Sequence, residues 1–178
     1  VGNTTGVSLK NTNNLTGATK RIEDCAIHDC GYSNGYWYGI EVTPAGGRTY
    51  KNVEIINCIV WNTYRSGITI YPENDSTSNL LTNVLVRGCE VYNAGTNLTS
   101  AGCGIAVKNH VVDAVIEYNY VHNTLGSQDG GGIGVMTNNS SWPAPENLKI
   151  RYNIVKNCHN GFSTFYNNAL KNVEIYGN

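Results

Sequence analysis

Four side chains in the middle of the chain, Arg65, Tyr71, Lys108 and His110, are of types that move protons or neutralise anions. A Lys or Arg can neutralise a carboxylate, a His or Lys can accept a proton, and a Tyr can return one. A second set, His28, Trp61, Tyr92 and His122, recurs at intervals of 33, 31 and 30 residues. Flat rings set at a regular spacing suit sugar rings, because they offer a large apolar area with little conformational entropy to lose. The competing reading is that such rings pair across neighbouring strands and stabilise an exposed sheet face.

Metal and phosphate chemistry find little support. None of the six Cys residues forms a C-x-x-C pair, and only Cys158-His159 sets a Cys beside a His, so no metal or other cofactor is expected. Calcium would need clustered carboxylates, but Glu41 is isolated and Glu73 and Asp75 share one polar loop. The string "DGGGIG" at 129–134 precedes a strand-like run rather than a helix, so it is not read as a phosphate loop. Net charge is −1 with no basic run, which argues against a nucleic-acid partner. No apolar stretch approaches the roughly 20 residues of a membrane-spanning helix.

What could position these side chains is a repeat. "NVEIINCIVWN" at 52–62 returns as "NVLVRGCEVYN" at 83–93, "DAVIEYNYVHN" at 113–123 and "NLKIRYNIVKN" at 147–157. A weaker copy, "TKRIEDCAIHD", sits at 19–29, and "NVEIYGN" closes the chain at 172–178. Each phrase is followed by Gly and an alternating apolar run, such as "GIEV" at 39–42 or "GITI" at 67–70. Such a unit cannot bury its apolar side alone, but stacked units can. The expected core columns are Lys20, Val53, Val84, Ala114, Leu148, Val173 and Ile22, Ile55, Val86, Ile116, Ile150, Ile175. A third is Ile27, Val60, Val91, Val121, Val155. Cys25, Cys58, Cys89, Asn119, Asn153 and Asn178 align at a sharp bend, as a stack of reduced thiols running into an Asn ladder. Asp29, Asn62, Asn93, Asn123 and Asn157 form a second ladder. The Gly before each third strand is expected in a corner conformation that other residues resist.

This pattern resembles the right-handed parallel β-helix repeats of the pectate-lyase-like superfamily, over nearly the whole chain. The resemblance implies an all-β, right-handed, three-sided parallel β-helix of about six turns with an Asn/Cys ladder, as one domain over 1–178. That domain could be a segment of a longer solenoid or a filament subunit. In pectate-lyase-like enzymes the face of the Gly strand and its loops often carry catalysis. That points to Lys108, His110, Tyr71 and Arg65 as candidate groups for eliminating across a uronate-containing polymer. The superfamily's hydrolase, epimerase and "RxPxxR" lyase strings are absent. An enzyme reading therefore requires the four residues to converge in an open cleft.

The leading expectation is an extracellular or cell-surface structural scaffold, such as a filament, surface-layer or adhesin unit, with glycan contact at His28, Trp61, Tyr92 and His122. A polysaccharide lyase or related carbohydrate-active enzyme is the alternative. Partners are expected to be further copies, stacked head to tail through open coil ends, and a polysaccharide. Glycosylation is expected at the sequons Asn3, Asn14, Asn74, Asn97, Asn138 and Asn139, all assigned to loops or the N-terminal lead-in. Arg87, Glu117 and Arg151 alternate in sign on successive turns and are expected to form a surface ion-pair ladder.

Overall fold

In the computed structural model, residues 5–11, 14–31, 37–73, 78–96, 102–126, 130–165 and 170–178 are described. β1 (Val7–Asn11) leads into repeating coils of three strands. The first coil is β2 (Lys20–Glu23), β3 (Ala26–Cys30) and β4 (Ile40–Pro44); the second is β5 (Thr49–Ile56), β6 (Ile59–Thr63) and β7 (Ile68–Ile70). The third holds β8 (Leu80–Arg87), β9 (Glu90–Ala94) and β10 (Cys103–Lys108), and the fourth β11 (Val111–Glu117), β12 (Tyr120–His122) and β13 (Gly131–Met136). The fifth is β14 (Glu146–Arg151), β15 (Ile154–Lys156) and β16 (Phe162–Phe165), and β17 (Lys171–Tyr176) follows it. No helix occurs among the described residues.

Every strand pairs in parallel with its counterpart one coil away, giving three parallel sheets. The first sheet runs from β2 to β17, the middle sheet from β3 to β15 and the third from β1 to β16. The molecule is a parallel β-solenoid. From β3 to β15 the chain makes about four full turns, slightly fewer than the six expected. The register matches the sequence columns: Ile22 pairs with Ile55, then Val86, Ile116, Ile150 and Ile175 in turn. Ile55, Val86, Ile116 and Ile150 are buried in one continuous aliphatic core. Lys20, the polar break in its column, caps the start of the stack: its Nζ donates to the carbonyls of Leu15 (2.8 Å) and Lys51 (3.0 Å).

The Asn ladder is present and two-sided. Asn119 Oδ1 accepts from Cys89 N–H (2.9 Å) while its Nδ2 donates to Val86 O (3.1 Å) and Asn153 Oδ1 (2.9 Å). Asn153 and Asn178 repeat the arrangement one coil on. The thiols imitate it more weakly: Cys58 and Cys89 donate to Ile22 O (3.6 Å) and Ile55 O (3.7 Å), and their sulfurs are weak acceptors for the backbone N–H of Cys25 and Cys58. All six Cys are free. The hydrogen bond to Cys58, and then burial, hold the Cys89 thiol protonated far above its ordinary range.

The corners are made differently from the expectation. Gly39, Gly67, Gly104 and Gly132 do not have positive φ. They are Gly because a Cβ would fall 2.2–2.3 Å from Cγ1 of Val60, Val91, Val121 and Val155 on the next coil. Most left-handed positions lie elsewhere, in three columns. One is the ladder Asp29, Asn62, Asn93, Asn123, Asn157, with φ of 50–53°. Another, Asn52, Asn83, Asp113, Asn147, Asn172, forms a further side-chain ladder, with Asn83 Nδ2 donating to Asn52 Oδ1 at 2.7 Å. The third is Asp24, Asn57, Gly88, Tyr118, Tyr152, Gly177, at the bend just before the Cys/Asn column. Asn and Asp tolerate this conformation and Gly adopts it freely; a Tyr does not.

Candidate functional site

The four candidate acid–base residues lie along one edge of the third sheet. Lys108 ends β10, and its Nζ sits 5.8 Å from the centre of the Tyr71 ring, just past β7. Arg65 is close enough for its charge to press on Lys108, and burial, the larger effect, pushes the Lys108 pKa down to about 8. Three of the four therefore converge. His110 turns aside: its Nδ1 lies 3.1 Å from Asn79 O, in a shallow depression with Pro72, Glu73, Trp142 and Pro143. Glu73 is itself paired with Lys10 at 2.7 Å.

The cluster does not face an open cleft. Lys108 is 6% exposed, and Thr43, Thr69, Ala106 and Met136 around it are buried. The Thr43 and Thr69 hydroxyls are buried without a hydrogen-bond partner. Cys103, Ala106 and Met136 form a small second core on this outer face. The Gly run at 130–134 serves the same closure. A Cβ at Gly130 would meet Gly102 O at 2.4 Å, and one at Gly134 would meet Cys103 Sγ at 2.7 Å.

On the middle sheet, His28, Trp61, Tyr92 and His122 stack in sequence, with ring centroids 4.3, 5.8 and 5.0 Å apart and planes within 14° of parallel. Each ring therefore covers its neighbour's face, and the row turns mainly ring edges to solvent. Two carboxylates anchor it, Asp29 on His28 (2.8 Å) and Glu90 on His122 (3.1 Å). Tyr120, which the sequence columns did not single out, stacks on His122 at 4.3 Å.

The Arg87–Glu117–Arg151 ladder forms at the surface as expected, with Arg87 half exposed, but its central carboxylate is covered. Glu117 is 1% exposed, held by Arg87 through Oε1 and by Arg151 Nε at 2.7 Å through Oε2. Burial alone would raise the Glu117 pKa; the two guanidiniums more than reverse this and hold it below the usual carboxylate value. Of the sequons, Asn14, Asn138 and Asn139 lie in exposed loops, while Asn3, Asn74 and Asn97 fall outside the described residues. Asn14 Oδ1 already accepts from Thr49 N at 2.9 Å.

Residues 50–174, which span four of the five coils, match the model of a family described as disaggregatase related. The chain belongs to that family. No curated protein matches the chain, and no solved structure does. The match begins inside β5 and ends inside β17, so the disaggregatase-related family model covers the repeated coils themselves and with them Arg65, Tyr71, Lys108 and His110.

Proposed function

We propose that this disaggregatase-related solenoid is an extracellular structural scaffold, a rigid rod whose surface and loops contact polysaccharide. The observation that carries the reading is the closure of the one face where acid–base residues gather. Lys108 is 6% exposed, and His110 turns away from it to Asn79 O. The polar residues of the corners are consumed in ladders that hold coil to coil. Further coils, from the same protein or from another copy, would continue the columns at Ile175 and Asn178.

A second reading, elimination on a uronate-containing polymer, is favoured by one feature: Lys108 beside Tyr71, with an amine whose pKa is pushed down to about 8, is the chemistry of a base next to an acid. One experiment separates the two. The purified chain is incubated with polygalacturonate and the ultraviolet absorbance of unsaturated product ends is followed. The scaffold reading expects none. Product formation that Lys108→Met and Tyr71→Phe each abolish, without loss of folding, would replace it with the lyase reading.

A further inference from the structure

The bend column that precedes the Cys/Asn ladder reads Asp24, Asn57, Gly88, Tyr118, Tyr152, Gly177, and every member has φ between 51° and 67°. Four of the six are residue types that accept a left-handed conformation. Tyr118 and Tyr152 are bulky side chains held where bulky side chains are rare. The fold does not require them, since Asn57 makes the same bend two coils before Tyr118. They are also the two most exposed tyrosines among the described residues, at 57% and 43%. Their rings stack with centroids 5.2 Å apart and planes 24° from parallel. One face of Tyr118 is thus taken by Tyr152. On the side of the preceding coil the column holds Gly88, where the Asn57 Oδ1 lies 2.6 Å from the place a Cβ would take.

The flanks of this step are cationic. Arg87, with half its side chain exposed, and Arg151, whose guanidinium carbon lies 5.7 Å from the centre of the Tyr152 ring, share the single carboxylate of Glu117. Two guanidiniums against one carboxylate leave a net positive charge beside an exposed aromatic ring. An aromatic face offers apolar area to the C–H side of a pyranose. A guanidinium offers paired donors to a carboxylate or sulfate.

We propose that the Tyr118–Tyr152 step is a binding site for a pyranose ring of an acidic polysaccharide, seated on the exposed ring of Tyr118 beside the Asn57 amide that packs on Gly88, with its acidic substituent toward Arg87. This site differs from the His28–Trp61–Tyr92–His122 row, whose ring faces are taken up by each other, and it rests on the polysaccharide contact proposed above. Asn is a native occupant of the column, so Tyr118→Asn removes the ring while keeping a residue suited to the bend.

The test is affinity electrophoresis of the full chain through gels containing polygalacturonate or neutral dextran, with melting temperature measured in parallel. The wild-type chain should be retarded by polygalacturonate and not by dextran. Tyr118→Asn should weaken retardation at least tenfold with a melting temperature equal to or above wild type, and Tyr118→Trp should restore most of it. The proposal is overturned if polygalacturonate does not retard the wild type, or if Tyr118→Asn binds as the wild type does. Loss of binding together with a lowered melting temperature overturns it too, since the ring would then be structural. Sedimentation showing that Tyr118→Asn dissociates an oligomer, with no polysaccharide effect, would assign the face to a second copy and also overturn it.

Discussion

Asn119→Ala tests whether the solenoid depends on its corner ladder. The Asn119 side chain makes three hydrogen bonds: it accepts from Cys89 N–H and donates to Val86 O and Asn153 Oδ1. Asn119, Cys89 and Val86 are all buried, so water cannot replace what is lost. Removing the amide orphans the Cys89 N–H, at about 1–3 kcal/mol, and loses two further bonds of about 1 kcal/mol each. The expected loss is about 3–5 kcal/mol, or roughly 10–15 °C in melting temperature for a chain of this size. The chain's own earlier coils supply the control. Asn119→Cys keeps a donor to Val86 O, as Cys89 donates to Ile55 O, but offers the Cys89 N–H only a weak sulfur acceptor, as Cys89 offers Cys58. It should fall between wild type and Asn119→Ala. Urea unfolding followed by circular dichroism, with an unchanged dependence on denaturant, gives the ranking. A loss below about 1 kcal/mol for Asn119→Ala, or an Asn119→Cys variant as unstable as the alanine, would refute the reasoning.

Three further outcomes follow from the same geometry. Gly104→Ala should destabilise strongly, because its Cβ would lie 2.2 Å from Val121 Cγ1 and 2.8 Å from Gly132 O; Gly161→Ala, with nothing within 4 Å, should be nearly neutral in the same melting assay. Glu117→Gln should cost more than the ~1 kcal/mol ceiling of an exposed pair, since it leaves two guanidiniums against a neutral amide. Because the folded Glu117 pKa is lowered, its stabilisation is present above the ordinary carboxylate pKa and is lost as pH falls through the folded value. The wild type should therefore lose stability in acid more steeply than Glu117→Gln. Lys108 has the opposite sign. With its folded pKa pushed down to about 8, the penalty of burying its charge is complete below that pH and disappears as pH rises toward 10.4. Urea titrations should show Lys108→Met more stable than wild type at pH 7, by about 3 kcal/mol, and converging with it at high pH.

Much of the fold is legible because a solenoid repeats its instructions. The Ile22–Ile55–Val86–Ile116–Ile150–Ile175 column is visible as one apolar letter at a constant phase, and the Asn119–Asn153–Asn178 ladder as one polar letter. The Asn52–Asn83–Asp113–Asn147–Asn172 ladder had the same signal, as the opening letter of each repeated phrase, with residue types that favour positive φ. The role of Gly104 and its equivalents was harder to see. Positive φ and close approach both select Gly, and only the coordinates show the Val Cγ1 in the way. Burial of Glu117 was hidden because alternating charge on neighbouring strands looks the same exposed or covered. The burial of Lys108 goes with the small outer core of Cys103, Ala106 and Met136, which no period records. It is why three residues with suitable chemistry could be found in the sequence while the burial of Lys108 could not.

The strain at Tyr118 and Tyr152 settles a question of magnitude. A non-Gly residue in the left-handed region costs roughly 1–2 kcal/mol, and Asn or Asp largely escape this through local hydrogen bonds. Two tyrosines there forfeit on the order of 2–4 kcal/mol relative to the column's tolerant members. Their stacking returns about 0.5–1.5 kcal/mol, and the Arg151 contact with the Tyr152 ring, near the surface, returns about 0.5–1 kcal/mol. The edge contact of Tyr176 with the Tyr152 ring returns about 0.5–1.5 kcal/mol more, and the sum leaves the pair near neutral for folding. Folding alone therefore does not favour Tyr over the Asp, Asn or Gly of the other coils. The Tyr118→Asn, Tyr152→Asn double variant should therefore unfold at equal or higher urea concentration than wild type. If it is instead less stable by more than about 1 kcal/mol, the two rings hold the bend together, and the argument from strain to binding is lost.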